Sequence, residues 1–242
     1  MAELVLNKTN SDFRKGFQSG ISIAIGYIPV ALTFGLLAKT TGLTFVETLL
    51  MSLVVFAGAS QYISLSLLTL GTGIFEIILT TFIVNIRHFL MSSALNEKCE
   101  DDHLVNKAIY SFGITDESFS VAAMKEGMVS TGYMFGLNLI GYLSWVAGTG
   151  FGFLLGASLP QTLQESMTIA LYAMFIGLLV PSMRKSVKVV FLAALSACFN
   201  TIFSLTNALS TGWAIVVATL LSAVIIELIE GVKKKQRGKG NE

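Results

Sequence analysis

VFAGASQYISLSLL, residues 55–68, lies inside an uncharged run from Thr48 to Leu70. A helix needs roughly 20 apolar residues, rising about 1.5 Å each, to cross the hydrocarbon core of a bilayer, and the run is long enough. Its middle, however, holds Ala57, Gly58, Ala59, Ser60 and Gln61 where lipid favours branched aliphatic side chains. Small residues let a second backbone or a ligand come close, and a glutamine amide at membrane depth needs a partner in protein, water or substrate.

Composition sets the class around that stretch. Of the 242 residues, 53% are hydrophobic and only 13% charged, with a mean hydropathy of +0.73. A soluble domain of this size is not so apolar, so the chain is expected to be an all-α polytopic membrane protein. The net charge of +1 implies no nucleic-acid partner. Cys99 and Cys198 stand far apart and define no disulfide framework. The first residues mix both charge signs and lead into no short apolar core with a cleavage site, so the first span is expected to be retained.

Outward from the opening stretch, the spans follow in order. Gly16 to Ala38 is uncharged behind Arg14 and Lys15, which places the N-terminus in the cytoplasm. Pro29 is expected to kink or break this helix near Gly26. Thr44 and Glu47 form a capping box that starts the second helix at about residue 45. The third runs from about Ile74 to Leu95, after a turn at Gly71 to Gly73. NEKCEDDH, residues 96–103, reads as a solvated loop. Residues 104–126 read as two half-helices with a break near Gly113, the second opening at Thr115. One long helix is expected from about Tyr133 to Ala157, and a second capping box, Thr162 with Glu165, opens a span from about Ser166 to Met183. Arg184, Lys185 and Lys188 mark a cytoplasmic turn. The uncharged residues from Val189 to Ile226 divide at 204–211 into two spans, and the basic tail at 232–242 belongs beside anionic headgroups in the cytoplasm.

With both termini inside, eight crossings result if 104–126 traverses the membrane, and seven if it only dips in; the charge pattern favours eight. Residues 34–58 echo residues 151–177, with their capping boxes in register, which suggests a duplication with halves 16–126 and 131–231 in one transmembrane domain. Repeats of this kind are a habit of secondary transporters, whose sites lie where broken helices meet.

Two groups of polar residues can carry chemistry. Asn85, Arg87 and His88 sit in the second half of the third helix. Arg87 can grip a substrate carboxylate in a two-pronged hydrogen bond and His88 can respond to protons; equally, Arg87 can reach the headgroups at a helix end. Asp116 and Glu117 can carry protons, or complement the positive end of the half-helix they open. A salt bridge from Arg87 to one of these acids is a third arrangement. If the second helix breaks at Gly58, Ala59, Ser60 and Gln61, freed peptide groups can hold the ends of a zwitterion; close helix packing explains the same residues. Asn138 and Asn200 read as interhelical hydrogen bonders. No nucleophile elbow, paired-histidine motif or phosphate-cradling loop is present, so no enzyme activity, metal or cofactor is expected.

The segments GFQSGISIAIGYIPVALTFGLLA, LLMSLVVFAGASQYISLSLL, EIILTTFIVNIRHFLMSSAL and ITDESFSVA, in this order, resemble the successive signatures of the AzlC family, the large subunit of bacterial branched-chain amino acid exporters. The likeness is close over about residues 16–125 and looser beyond. It implies export of valine, leucine and isoleucine, with methionine or analogues, across the bacterial cytoplasmic membrane, beside a small membrane subunit of the AzlD type. It assigns no site residues. The competing reading is a membrane scaffold or channel-like subunit that transports nothing.

Overall fold

A computed structural model describes residues 2–155, 158, 160, 162, 166, 169, 173, 176, 177, 179, 180, 183, 184, 186–206 and 208–239, with side chains from residue 11 to residue 229. The described elements are helical: α1 (Ala2–Ser19), α2 (Ile21–Thr40), α3 (Phe45–Leu50) continued by a π-helical turn (Met51–Val55), α4 (Gly58–Thr69), α5 (Ile74–Asn96), α6 (Leu104–Phe112), α7 (Asp116–Met124), α8 (Thr131–Leu155), α9 (Val187–Thr206) and α10 (Thr211–Lys239). Among them α2, α5, α8, α9 and residues 211–229 of α10 are long and apolar enough to cross a membrane. The second capping box, most of the span from Ser166 to Met183, Lys185 and most of the second copy of the duplication lie outside the described residues.

The chain divides into two units, residues 1–65 with 84–173 and residues 66–83 with 174–242. In the first, α8 is the axis. Gly16 lies against the Tyr133 backbone, Gly148 against Ala31, and Gly152 against Leu32, so residue numbers rise together and α8 runs parallel to α1 and α2. A Cβ on Gly152 would sit 2.1 Å from the Leu32 carbonyl oxygen, and one on Gly35 2.1 Å from that of Thr149. Only a bare backbone permits this approach, and such close packing is what holds helices together where lipid removes the hydrophobic drive. The helical chain begins earlier than the expected Gly16, because α1 packs the same way: a Cβ on Gly136 would meet the Phe13 carbonyl, and Ser130 Oγ donates to Asp12 Oδ2.

The expected break at Gly26 and Pro29 does not occur; α2 runs through both. Proline removes one donor, and the turns on either side keep theirs, with Thr33 Oγ1 adding a bond to the Pro29 carbonyl. The break falls instead inside the stretch quoted first. Thr44 and Glu47 form the expected capping box at the start of α3, but after the π-helical turn Phe56 adopts φ +42°, the left-handed region. For a phenylalanine that costs about 1–2 kcal/mol. The second expected break is present: α6 ends at Phe112, Gly113 caps it, and Thr115 opens α7 in a capping box with Ser118.

Both broken segments lie along α8, from opposite ends. α3 runs down it, Phe45 beside Phe153, Ser52 bonded to Thr149, and Tyr142 Oη donating to the Leu53 carbonyl. Segment α6–α7 starts and finishes at the other end: Val129 N donates to the Lys98 carbonyl, Glu100 N to the Val129 carbonyl, and Thr131 Oγ1 to Asp102 Oδ2. Between these ties it climbs to Asn138 and Tyr142, roughly 10–16 Å along α8 at 1.5 Å per residue, and returns. The two breaks meet halfway. Phe56 and Phe112 rings lie 6.4 Å apart, and Tyr142 packs on both at 5.0 and 6.1 Å.

In the second unit α9 and α10 are antiparallel, with Lys188 paired to Glu227 at 2.5 Å. Glu76, in the first turn of α5, accepts from Trp213 N at 2.9 Å and from Ser210 Oγ, filling an open N-terminal position of α10. The start of α5 and the start of α10 therefore share one end of that unit.

Candidate functional site

Each break brings its own set of polar residues together. At the first, Gln61 is completely buried. Its Oε1 accepts from Ala57 N at 3.2 Å and Trp145 Nε1 at 3.1 Å, and its Nε2 donates to Ser52 Oγ at 3.1 Å. Ser52 in turn shares a hydrogen bond with Thr149. Ser60 Oγ donates to the Ala57 carbonyl. Gly58 lies under the Trp145 ring, where a Cβ would be 2.8 Å from Cη2, and Ala59 is buried. This ring of bonds joins residue 61 back to residue 52, folds the chain over Phe56, and offsets its strain.

The second break gathers charge. Arg87 Nη1 lies 3.0 Å from Asp116 Oδ2, with side chains 36% and 25% exposed. This is the salt bridge considered from sequence, and it fixes α7 to α5. His88 Nδ1 sits 3.1 Å from the Ile114 carbonyl; a carbonyl only accepts, so Nδ1 carries the proton, and a neutral ring would present Nε2 as an acceptor. Tyr27 Oη lies 2.6 Å from Glu117 Oε2 and 2.7 Å from Thr115 Oγ1, and donates its single proton between them. Asn138 Nδ2 donates to the Tyr110 carbonyl at 2.7 Å, the interhelical bond expected of it, and Gly113 packs against the same side chain.

Among the described residues, four buried atoms around this break have no hydrogen-bond partner: Asn85 Oδ1, Arg87 Nε, His88 Nε2 and Asn138 Oδ1. An unsatisfied polar atom costs about 1–3 kcal/mol, and groups left so at membrane depth are the ones available to something that binds. Among the described residues Glu117 makes no ion pair, and no three metal-ligating side chains cluster. The structure thus joins Arg87, His88, Asp116 and Glu117 around Gly113. Gly58, Ala59, Ser60 and Gln61 form a separate, satisfied network, and Gly26 and Pro29 take part in neither.

Tyr27, Thr115 and Trp145 were not singled out as site residues from the sequence. Tyr27 stands two residues before Pro29 in GYIPV and carries no mark of its own; only the parallel packing of α2 on α8 sets it beside α7. The indole N–H of Trp145 gave a weak signal, since a tryptophan in mid-helix needs an acceptor.

The AzlC protein family matches residues 22–159 of the chain. The chain belongs to the AzlC family. It is 37% identical over 175 residues to an uncharacterized membrane protein of Archaeoglobus fulgidus, covering 71% of this chain and 76% of that protein. Inner membrane protein YgaZ of Escherichia coli is 30% identical over 232 residues, 92% of this chain and 94% of its own. The branched-chain amino acid transport protein AzlC of Bacillus subtilis is 27% identical over 180 residues, 73% and 70% of the two chains. No solved structure matches. This AzlC-family chain is accordingly a multi-pass membrane protein, and its matched region ends just beyond α8, so it contains both breaks.

Proposed function

We propose that this protein is a secondary transporter that exports branched-chain amino acids across the bacterial cytoplasmic membrane, coupled to protons or another ion and working with a small membrane subunit of the AzlD type. The observation that carries the reading is the meeting of two helix breaks halfway along α8, in a chain related to a branched-chain amino acid transport protein. Discontinuous helices that face each other at mid-membrane are where secondary transporters hold substrate and coupling ion. In this reading Arg87 receives the carboxylate end of the substrate when it parts from Asp116, Asn85 stands beside it, and His88, Asp116 and Glu117 carry the coupling charge. Gly58, Ala59, Ser60 and Gln61 shape the opposite wall through the fold they hold.

The same geometry supports a membrane topology. Segment α6–α7 leaves and rejoins one end of α8, so it dips into the bilayer without crossing. α2 and α8 run the same way, which requires an odd number of crossings between them. α5, about 35 Å long at 1.5 Å per residue, supplies one, and α3–α4 then also dips, from the opposite face. Span, half-helix, break, half-helix thus occurs twice, inverted, as α2–α3–α4 and α5–α6–α7. With the expected span at 166–183, the count is six crossings and two dips, and it keeps the basic residues 184–188 and the tail in the cytoplasm. This proposed count differs from the eight crossings favoured by the charge pattern, which needed 104–126 to traverse.

Transport is tested by counterflow: proteoliposomes loaded with unlabelled leucine should accumulate labelled leucine, with the small subunit present. A wild-type chain that exchanges neither leucine nor valine would leave the scaffold reading. For the topology, Gly42→Cys and Thr72→Cys should both react with an impermeant maleimide from outside the cell. Opposite sidedness of the two contradicts the dip of α3–α4.

A further inference from the structure

Against the second break, between the last turn of α6 and the first half of α8, lies a groove of about 290 Å³. Its walls are Ile109, Phe112, Phe135, Leu139 and Tyr142, and its one amide is Asn138. We propose that this groove is the specificity pocket for the substrate's aliphatic side chain, with Asn138 Oδ1 accepting from the substrate ammonium at its inner end. The assignment rests on the transport reading above.

Three observations favour this occupant. The volume is at the small end of the range in which proteins hold small ligands, suited to a single amino acid and too small for a larger metabolite. The walls are aliphatic and aromatic, which excludes charged and strongly polar side chains by the cost of desolvating them. The third is the state of Asn138. This residue is 7% exposed, lines the groove, and uses its Nδ2 on the Tyr110 carbonyl, which fixes the orientation of the amide. Among the described residues its buried Oδ1 is then an acceptor with no donor. A lipid acyl chain that entered the groove would bring no donor and leave that oxygen unpaired, whereas a primary ammonium supplies three N–H groups. Gly113 makes the arrangement possible, because a Cβ there would lie 2.8 Å from both Cβ and Nδ2 of Asn138.

Position agrees with chemistry. Gly113 separates the groove from the ionic cluster, since Ile114 and Thr115, the next two residues, are the ones bonded to His88 and Tyr27. An amino acid seated with its side chain against Leu139 would have its charged ends toward the break, one toward Asn138 and the other on the side of Gly113 where the ionic cluster lies. The groove selects, and the cluster drives.

The test fills the pocket. Leu139→Trp and, separately, Ile109→Phe are made in the full chain, reconstituted with the small subunit, and assayed for counterflow of leucine, isoleucine, valine and alanine. Both positions are partly exposed, at 41% and 56%, so a larger side chain is accommodated without unpacking α6 from α8. Leucine and isoleucine exchange should fall about tenfold, through a raised KM, while alanine exchange stays within about twofold, the change expected when methylene-sized space is removed from an apolar pocket. Retained alanine exchange also reports that the variants are folded. An unchanged ratio of leucine to alanine, in variants of a working wild type, overturns the groove as the pocket. Equal loss of all four substrates overturns it too, since that is the mark of a lipid or a neighbouring helix on this face. A wild type that exchanges none of the four overturns the transport reading itself.

Discussion

At the break around Phe56 the Gln61 amide is bonded at both ends, and Trp145, Ala57, Ser52 and Thr149 complete a neutral network closed off from its surroundings. At the break around Gly113, an arginine, a histidine and two carboxylates converge, the ion pair is partly exposed, and four buried polar atoms have no partner among the described residues. Both breaks interrupt a helix at the depth of Tyr142, so both free peptide groups in the same environment. The difference lies in what has been done with the freed capacity. A saturated polar network in a low-dielectric setting is rigid and has nothing left to offer a ligand, whereas an unsaturated one is held in readiness at a cost in stability. On the proposed reading, the first break shapes the fold and the second serves transport.

That contrast can be broken most directly at Arg87. Arg87→Ala leaves Asp116 without its cation at membrane depth and removes the grip on the substrate carboxylate; leucine exchange should drop by about ten- to a hundredfold, less than for a fully buried pair because both side chains are partly exposed. The double variant Arg87→Ala with Asp116→Asn restores charge balance. If it stays inactive, Arg87 serves the substrate; if it recovers exchange, pairing was the whole of its role.

Next in size is Gln61→Leu. It leaves Trp145 Nε1 and Ala57 N without their acceptor, and at about 1–3 kcal/mol for each orphaned group the protein should melt several degrees lower and accumulate less. Exchange per folded molecule should hardly change. A specific loss of transport at full stability would make the first break a binding site after all.

Glu117→Gln should act more selectively. Tyr27 keeps an acceptor in the amide oxygen, so the fold survives, leucine-for-leucine exchange continues, and the dependence of net export on external pH flattens. A wild-type pH profile in this variant would assign Glu117 to helix capping.

The smallest effect belongs to the tie at the foot of α6–α7. Hydrogen bonds from Thr131, the His103 backbone and Asn106 hold the Asp102 carboxyl below the usual carboxylate range. A depressed folded-state value means that the tie stabilises above the ordinary range and is lost as pH falls through the lowered one. Asp102→Asn should lower the melting temperature slightly at neutral pH and make no difference in acid.

Much of this architecture is legible in the sequence. Capping pairs announce α3 and α7, because Thr44 with Glu47, and Thr115 before its acids, are local chemistry that needs no tertiary partner. The break at Gly113 is legible for the same reason, and so is the alternative of an Arg87 salt bridge. Pro29 makes no break in α2, since a single missing donor does not end a helix that is packed along its length. The part of Gln61 in closing the first break could not be read from spacing, because its partners Trp145 and Ser52 come from a distant helix and from a π-helical turn with no sequence signature. The dips proposed for the broken segments were hidden likewise. Whether an apolar segment crosses or returns depends on what its ends are tied to, here Val129 to Lys98 and Asp102 to Thr131, and those bonds join loops whose sequences are merely polar.

Leucine counterflow measured side by side in wild type, Gln61→Leu and Arg87→Ala, each reconstituted with the small subunit and normalised to folded protein, tests the division of labour between the breaks. The wild type and Gln61→Leu should accumulate labelled leucine equally per folded molecule, and Arg87→Ala should accumulate about ten- to a hundredfold less. Background exchange in Gln61→Leu together with full exchange in Arg87→Ala would contradict it.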